Sequence, residues 1–163
     1  MSETNNAATT ETAPEAKEQK AAKAGAAEAS SRECALIAAR AADEKKATDI
    51  MVQEVRDLIS VTDYFVIATA ANRRQVEAIV DEIEERERKE AHVKPIHREG
   101  TDDGMWALLD YGSFVVHVFQ PETRDYYRLE ALWNDAPVID LAKEAGLVDV
   151  EYSDRIAKLL GKK

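Results

Sequence analysis

The sequence has a single cysteine, Cys34, and therefore no pair that could close an internal disulfide. A lone thiol is typical of proteins in reducing compartments, where stability depends on an ordinary hydrophobic core. No apolar run approaches the roughly 18 residues that a membrane span needs. The N-terminal residues lack the basic start and the apolar stretch of a signal peptide. These features predict a cytoplasmic protein that does not enter a membrane.

Large apolar residues are missing from the first part of the chain. Residues 1–30 contain no valine, isoleucine, leucine, phenylalanine, tyrosine or tryptophan. Such a segment cannot bury enough apolar surface to offset the entropy that ordering costs, which predicts a disordered tail over 1–30. The alternative is a fraying alanine-rich helix, because alanine and glutamate are good helix formers. The rest of the 163 residues gives room for one domain.

Basic residues are scarce relative to acidic ones. The chain has 22 lysines and arginines against 32 aspartates and glutamates, and its net charge is −10. Residues 31–135 alone carry a net charge of −8. Nucleic-acid phosphates would repel such a surface, so we expect no direct DNA binding. The charge suits a basic protein partner, although acidity could also serve only solubility.

Hydrophobic periodicity predicts five strands that alternate with helices. The continuous apolar run 64–69 has the pattern of a central strand, covered on both faces. Two apolar runs around Gly112 and Ser113 predict a β-hairpin. The expected strands are 48–55, 64–69, 93–96, 105–111 and 114–119. We therefore predict an α/β (α+β) fold with a mixed five-stranded sheet and helices packed on it.

Five helices are expected, and the clearest begins near Asn72 and ends near Ala91. Its apolar residues follow the spacing of one buried helix face. A further helix begins at Pro121, with a predicted apolar stripe of Tyr126, Leu129, Leu132 and Trp133. The other expected helices are 31–44, about 139–145 and 153–160.

Residue patterns typical of catalysis are missing. His92, His97 and His117 are not spaced as metal ligands on one element, so we expect no metal and no cofactor. Nucleotidyltransferases place Gly-Ser before an Asp-x-Asp metal pair, but residues 123–127, about ten positions after Gly112-Ser113, contain one carboxylate, Asp125, and not two. The interior of an apolar strand favours a hydrogen-bonded core or half-buried role for His117. The chain is therefore predicted not to be an enzyme.

Three blocks of sequence resemble the signatures of the RsfS (Iojap-like) family of ribosomal silencing factors. The first is Thr62 to Thr69 followed by Asn72-Arg73. The second is Gly104 to Gly112 followed by Val115 to Phe119, and the third is Arg124 to Ala136. The blocks occur in the family's order and spacing. The resemblance covers residues 31–136 and leaves 137–163 as a C-terminal helical extension.

The resemblance implies a fold and a function. The implied topology is nucleotidyltransferase-like without the catalytic acids. The implied partner is the large ribosomal subunit, bound through ribosomal protein L-fourteen. Binding there would sterically block association with the small subunit and repress translation. The alternatives are a nucleotidyltransferase-like enzyme and a general ribosome-assembly platform, and a homodimer is also compatible with the family.

The hairpin carries the residues that we expect to bind the partner. Tryptophan is enriched in binding hot spots, although periodicity alone leaves Trp106 equally suited to the core. The predicted partner-binding residues are Trp106, Leu109, Asp110 and Tyr111, with Asp63 and Tyr64 nearby. In this hypothesis Asp110 pairs with an arginine or lysine of the partner, while the apolar side chains fill shallow pockets.

Overall fold

A mixed five-stranded sheet forms the centre of the protein in a computed structural model, which describes residues 29–161. The strands lie in the order β1-β2-β5-β4-β3. Strands β2 and β5 are parallel and the other neighbours are antiparallel, which confirms the predicted sheet and the β4–β5 hairpin. The bounds are β1 Thr48–Glu54, β2 Tyr64–Thr69, β3 His97–Glu99, β4 Trp106–Asp110 and β5 Phe114–Phe119. The nucleotidyltransferase-like topology stays a prediction.

Two helices, α1 (Ser31–Glu44) and α2 (Arg73–Arg86), cover one face of this sheet. Asn72 caps α2, because its side-chain oxygen accepts a hydrogen bond from the Gln75 backbone N–H at 2.9 Å. A π-helical turn, Glu87–Ala91, continues α2 and ends at the predicted position. The buried face of α2 consists of Val76, Ile79, Val80 and Ile83, as the periodicity predicted.

The C-terminal segment contains α5 (Leu141–Ala145) and α6 (Asp154–Leu159). Helix α5 packs against α1, while α6 covers part of the opposite face of the sheet. Ile156 of α6 is fully buried in a cluster with Met51, Val55, Phe65, Ile67, Phe119 and Ala136. The same segment also runs along the edge strand β1, where the Ile139 N–H donates to the Val52 carbonyl at 2.9 Å. The described residues from Ser31 onward thus form one compact unit.

The predicted single helix from Pro121 to Trp133 is wrong, because it breaks at Arg128. The two pieces are α3 (Pro121–Tyr127) and α4 (Leu129–Leu132), and Arg128 has a left-handed φ of 50°. The break turns buried Arg124 and Glu130 toward each other, 3.1 Å apart. The predicted apolar stripe is also wrong in part, because Tyr126 and Leu132 are exposed.

The predicted strand at 93–96 is wrong by a few residues, since β3 is His97–Glu99. Pro95 has no N–H to contribute to a ladder. The first main-chain bond to β4 comes from Ile96, whose N–H donates to the Asp110 carbonyl at 2.8 Å.

Two sequence predictions concern the ends of the chain and its relation to membranes. The predicted tail 1–30 lies outside the described residues, apart from Ala29 and Ser30. Within 29–161, no helix combines the length and the apolar character that a bilayer crossing requires.

Candidate partner-binding surface

Strand β4 presents different side chains to the two faces of the sheet. Successive strand residues point to opposite sides. Ala107 and Leu109 are fully buried on the side of α1 and α2, while Trp106, Leu108 and Asp110 are only partly buried on the other. On this second side β5 contributes Val115, which pairs with Asp110. We call Trp106, Leu108, Asp110 and Val115 the open face.

The open face exists because the C-terminal segment stops short of it. Ile156 and its neighbours pack mainly over β1 and β2. Trp106 and Val115 lie at the margin of this cluster, and Leu108 and Asp110 lie outside it. From Trp106 to Asp110 the open face extends about 13 Å along the strand, at about 3.3 Å per residue.

Trp106 is held by aromatic neighbours. Its ring centroid lies 4.7 Å from that of Phe119 and 4.8 Å from that of Tyr127. Its indole N–H donates to Nδ1 of His117 at 3.1 Å. Trp106 is therefore half-buried, its indole N–H is hydrogen-bonded, and part of its ring stays accessible.

Four large apolar side chains on β4's N-terminal flank and on α3 and α4 are exposed. The sequence analysis did not predict them as partner-binding residues. Their exposed fractions are Met105 43%, Tyr126 80%, Tyr127 51% and Leu132 69%. The Tyr126 and Tyr127 rings contact each other with centroids 5.0 Å apart, which extends the aromatic surface from Trp106. The consecutive tyrosines were the available signal, because tyrosine is enriched at protein interfaces.

The structure divides the six predicted residues into two groups. Trp106, Asp110 and Asp63 are partly accessible. Tyr64, Leu109 and Tyr111 are at most 2% exposed, and they lie on the sheet face that α1 and α2 cover.

The three buried residues pack in the core on the sheet face that α1 and α2 cover. Tyr111 stacks on Phe114 with ring centroids 4.5 Å apart. Burial raises the pKa of the Tyr111 hydroxyl far above its usual range. The Tyr64 hydroxyl accepts a hydrogen bond from Arg56 at 2.8 Å. These side chains hold the backbone of β2 and β4 in place, and they do not reach the open face.

Acidic groups mark the hairpin end of the sheet. Asp110 accepts a hydrogen bond from the Gly112 N–H at 2.8 Å, which fixes its carboxylate beside the turn. The Asp63 N–H donates to the Ser113 carbonyl at 2.9 Å, which brings Asp63 to the same turn. The open face therefore has an aromatic end at Trp106 and an acidic end near Asp110 and Asp63.

His117 lies beneath the open face, and burial lowers its pKa to about 3, with a smaller contribution from the positive charge of Arg124. The folded ring thus stays neutral while an unfolded histidine protonates below about pH 6.5. Between these values the unfolded state binds more protons, so stability is complete above pH 6.5 and is lost as the pH falls toward 3.

We expect His117 to reduce the free energy of unfolding by about 2 kcal/mol at pH 5 relative to pH 7.5. Urea denaturation of the wild type and of His117→Asn at both pH values measures this contribution as the difference in their pH dependence. His92→Asn is the control, because His92 is exposed. An unchanged pH dependence in His117→Asn would contradict the prediction.

Asp125, the carboxylate about ten residues after Gly112-Ser113, makes a structural contact. Asp125 forms an ion pair with Arg155 at 3.1 Å, which links α3 to α6. Among the described residues, no group of three or more histidine, cysteine, aspartate or glutamate side chains could hold a metal ion.

The fold and the surface together define a class. This is an α+β protein whose mixed sheet is covered by helices on one face and is partly open, with aromatic and acidic side chains, on the other. Exposed aromatic patches with a polar rim are typical of protein–protein binding surfaces.

A family model described as "Ribosomal silencing factor during starvation" matches residues 28–158. The chain belongs to this RsfS family of ribosomal silencing factors.

Individual relatives agree with the family assignment. Ribosomal silencing factor RsfS of Bacillus subtilis is 43% identical over 105 residues, which cover 64% of this chain and 88% of that protein. A crystal structure of a Chromobacterium violaceum protein superposes with a TM-score of 0.62 at 36% identity, covering 64% of this chain and 87% of that one. A mouse protein named "Mitochondrial assembly of ribosomal large subunit protein 1" is 37% identical over 95 residues, which cover 55% of this chain and 40% of that protein.

Proposed function

We propose that this protein silences ribosomes by occupying the large subunit where the small subunit must bind. The contact is made with ribosomal protein L-fourteen, and the result is steric repression of translation in the cytoplasm. Membership of a family named for ribosomal silencing supports the general role. The name of the mouse relative refers to the large subunit, which supports the choice of subunit.

The observation that carries the proposal is the open face. Trp106 and the nearby Tyr127 offer large, rigid apolar area, the kind of group that dominates binding energy at interfaces. Leu108 and Val115 provide the flat apolar floor between the two ends. An interface of standard size, about 1,200–2,000 Å² in total, would be enough for a steric block.

Charge supports a basic protein as the occupant. Ribosomal proteins are typically basic, while residues 31–135 carry a net charge of −8. Asp110 and Asp63 at the acidic end would face arginine or lysine side chains of the partner. Such complementarity speeds the encounter and fixes the orientation, and the aromatic end supplies most of the affinity. Leu109, Tyr111 and Tyr64 contribute indirectly, because they pack on the opposite face of the sheet and hold its strands in place.

Co-sedimentation with separated ribosomal subunits tests this function. We expect the protein to pellet with large subunits and not with small ones at physiological salt. Added protein should also reduce the joining of purified subunits, as measured by the peak of joined ribosomes in a sucrose gradient. Failure to bind isolated large subunits would overturn the proposal.

Trp106→Ala is expected to weaken binding to large subunits by at least about 2 kcal/mol, or roughly 30-fold. The physical reason is the loss of the largest partly accessible aromatic side chain of the open face. Binding is measured by co-sedimentation over a range of protein concentrations, with circular dichroism to verify the fold. Val148→Ala is a matched apolar control, because Val148 is 73% exposed on the C-terminal segment. A folded Trp106→Ala variant with normal affinity would remove Trp106 from the proposed site.

A role in large-subunit assembly is a second candidate, and the name of the mouse relative is the observation that favours it. The two roles separate in cells that lack the protein. An assembly factor would leave immature large subunits in the gradient, whereas a silencing factor would leave mature subunits that join too readily. Homodimer formation stays a prediction, which light scattering of the purified protein measures.

A further inference from the structure

The open face has a histidine directly beneath its aromatic end. His117 lies in the middle of β5 on the same side as Trp106, and in the ladder it pairs with Ile67 and Leu108. It is only 4% exposed. Its ring packs edge-on against Phe65, with centroids 5.0 Å apart. The imidazole is therefore fixed from several sides, and it cannot contact a partner itself.

The hydrogen bond from Trp106 determines which ring nitrogen of His117 carries hydrogen. An indole N–H can only donate, so Nδ1 of His117 must accept and must be unprotonated. In the neutral ring the hydrogen then resides on Nε2, which has no hydrogen-bond partner among the described residues. Protonation of the ring would place a second hydrogen on Nδ1 and break the bond to Trp106. Burial lowers the pKa of His117 to about 3, so the accepting form persists at neutral pH.

The aromatic neighbours of Trp106 do not fix its orientation by themselves. Phe119 and Tyr127 contact the two-ring system at 4.7 and 4.8 Å between centroids, and such apolar contacts tolerate an indole turned about its χ2 axis. A turned ring would keep much of the apolar contact but would direct its N–H away from Nδ1. Within residues 29–161, the hydrogen bond to His117 is the one directional contact that distinguishes the two orientations.

We infer that His117 is a positioning residue, which holds the indole of Trp106 in the orientation that the partner recognises. This inference deepens the proposed function and rests on it. His117 acts through Trp106 and touches no partner. An indole that is already in the bound orientation loses less conformational freedom on docking, and this preorganisation raises affinity.

The test compares two substitutions at His117 in the full-length, ¹⁵N-labelled protein. His117→Asn keeps a side-chain oxygen that can accept from the indole near the former Nδ1. His117→Phe keeps an aromatic ring but has no acceptor. The sequence has two tryptophans, so the spectrum should show two indole N–H resonances, with Trp133 as the internal control. His92→Asn serves as the control for histidine replacement at an exposed position.

We expect the Trp106 resonance to remain near its wild-type position in His117→Asn and to move upfield in His117→Phe. Affinity for large subunits should stay within about two-fold in the first variant and fall about five-fold in the second. Equal affinity in both variants, whether normal or reduced, would overturn the inference. The NMR spectrum of the His117 ring nitrogens in the wild type gives a second test. A hydrogen on Nδ1 would also overturn the inference, and this measurement does not depend on whether a variant folds.

The two proposals fail in different ways. If the wild type does not pellet with large subunits, the proposed function is wrong, and the indole resonances still show whether His117 orients Trp106. If the wild type binds but His117→Phe binds equally well, only the positioning role is wrong.

Discussion

Glu130→Ala is expected to lower the free energy of unfolding by about 3–5 kcal/mol, the largest effect anticipated for a single substitution. The Glu130 carboxylate is fully buried and contacts the guanidinium groups of Arg124 and Arg155. Arg124 is itself only 1% exposed. Removal of the carboxylate would leave the Arg124 charge in a dry environment without the one carboxylate that forms an ion pair with it among the described residues.

The remaining contacts of Arg124 cannot compensate for this loss. Its guanidinium also donates to the uncharged Asp49 carbonyl at 2.6 Å and Thr69 hydroxyl at 2.8 Å. The Asp49 carboxylate acts on Arg124 through space and forms no ion pair with it. Asp49 presents its carbonyl because the β1–β2 register is irregular between Thr48 and Met51, where Asp49 has a left-handed φ of 50°. The buried charges therefore join α3, α4 and α6 to the edge of the sheet.

Urea denaturation monitored by tryptophan fluorescence measures the effect. The control is Glu144→Ala, because Glu144 forms an ion pair with Arg32 in a solvent-accessible position. We expect that variant to change stability by at most about 1 kcal/mol. A loss of less than about 1 kcal/mol in Glu130→Ala would show that the buried network is not needed for stability.

Ile156→Ala is expected to destabilise the protein by about 2–5 kcal/mol. Ile156 is the fully buried residue of α6, and its side chain fills the space between the sheet and Ala136. Truncation removes apolar contacts and leaves a cavity that rigid strands cannot close. The effect should concentrate on α6, since this six-residue helix is held by buried Ile156, by partly buried Leu159 and by the ion pairs of Arg155.

Two measurements follow the loosening of α6. Urea denaturation gives the overall loss of stability, with Val148→Ala as an exposed control that should stay within about 0.5 kcal/mol. Amide hydrogen exchange should accelerate in 153–160 more than in β2 and β5. Uniform acceleration across the chain would mean that α6 does not open separately from the sheet.

Several elements followed directly from local sequence pattern. The run that starts at Tyr64 is apolar up to Ala68 and ends at Thr69, and β2 is accordingly buried throughout, between β1 and β5. The helical spacing of Val76, Ile79, Val80 and Ile83 matches the buried face of α2. Gly112 has a φ of 88°, which suits the tight turn predicted for the hairpin. In each case the pattern depends on neighbours within about ten residues.

Long-range contacts explain the errors around Arg128. The sequence 121–133 has good helix formers and an apolar stripe, yet the chain breaks so that Glu130 can reach Arg124 and Arg155. Tyr126 and Leu132 then remain exposed, because the buried side of this segment is occupied by Arg124 and Glu130 together with partly buried Leu129 and Trp133. The residues that contact Arg124 and Glu130, namely Asp49, Thr69 and Arg155, lie far away in sequence. Local periodicity therefore could not predict these contacts.

The sequence by itself determined the class of the fold, the order of its elements and the family, because local periodicity and the three sequence blocks are properties of the chain alone. Which face of β4 is open was decided only by the tertiary structure. Both faces of that strand are apolar in sequence, and α1 with α2 buries Leu109 while the C-terminal segment stops before Leu108. Tertiary packing thereby left Trp106 and Asp110 accessible and placed Tyr64, Leu109 and Tyr111 in the core. Exposure is a property of what packs against a residue, and that depends on contacts between distant parts of the chain.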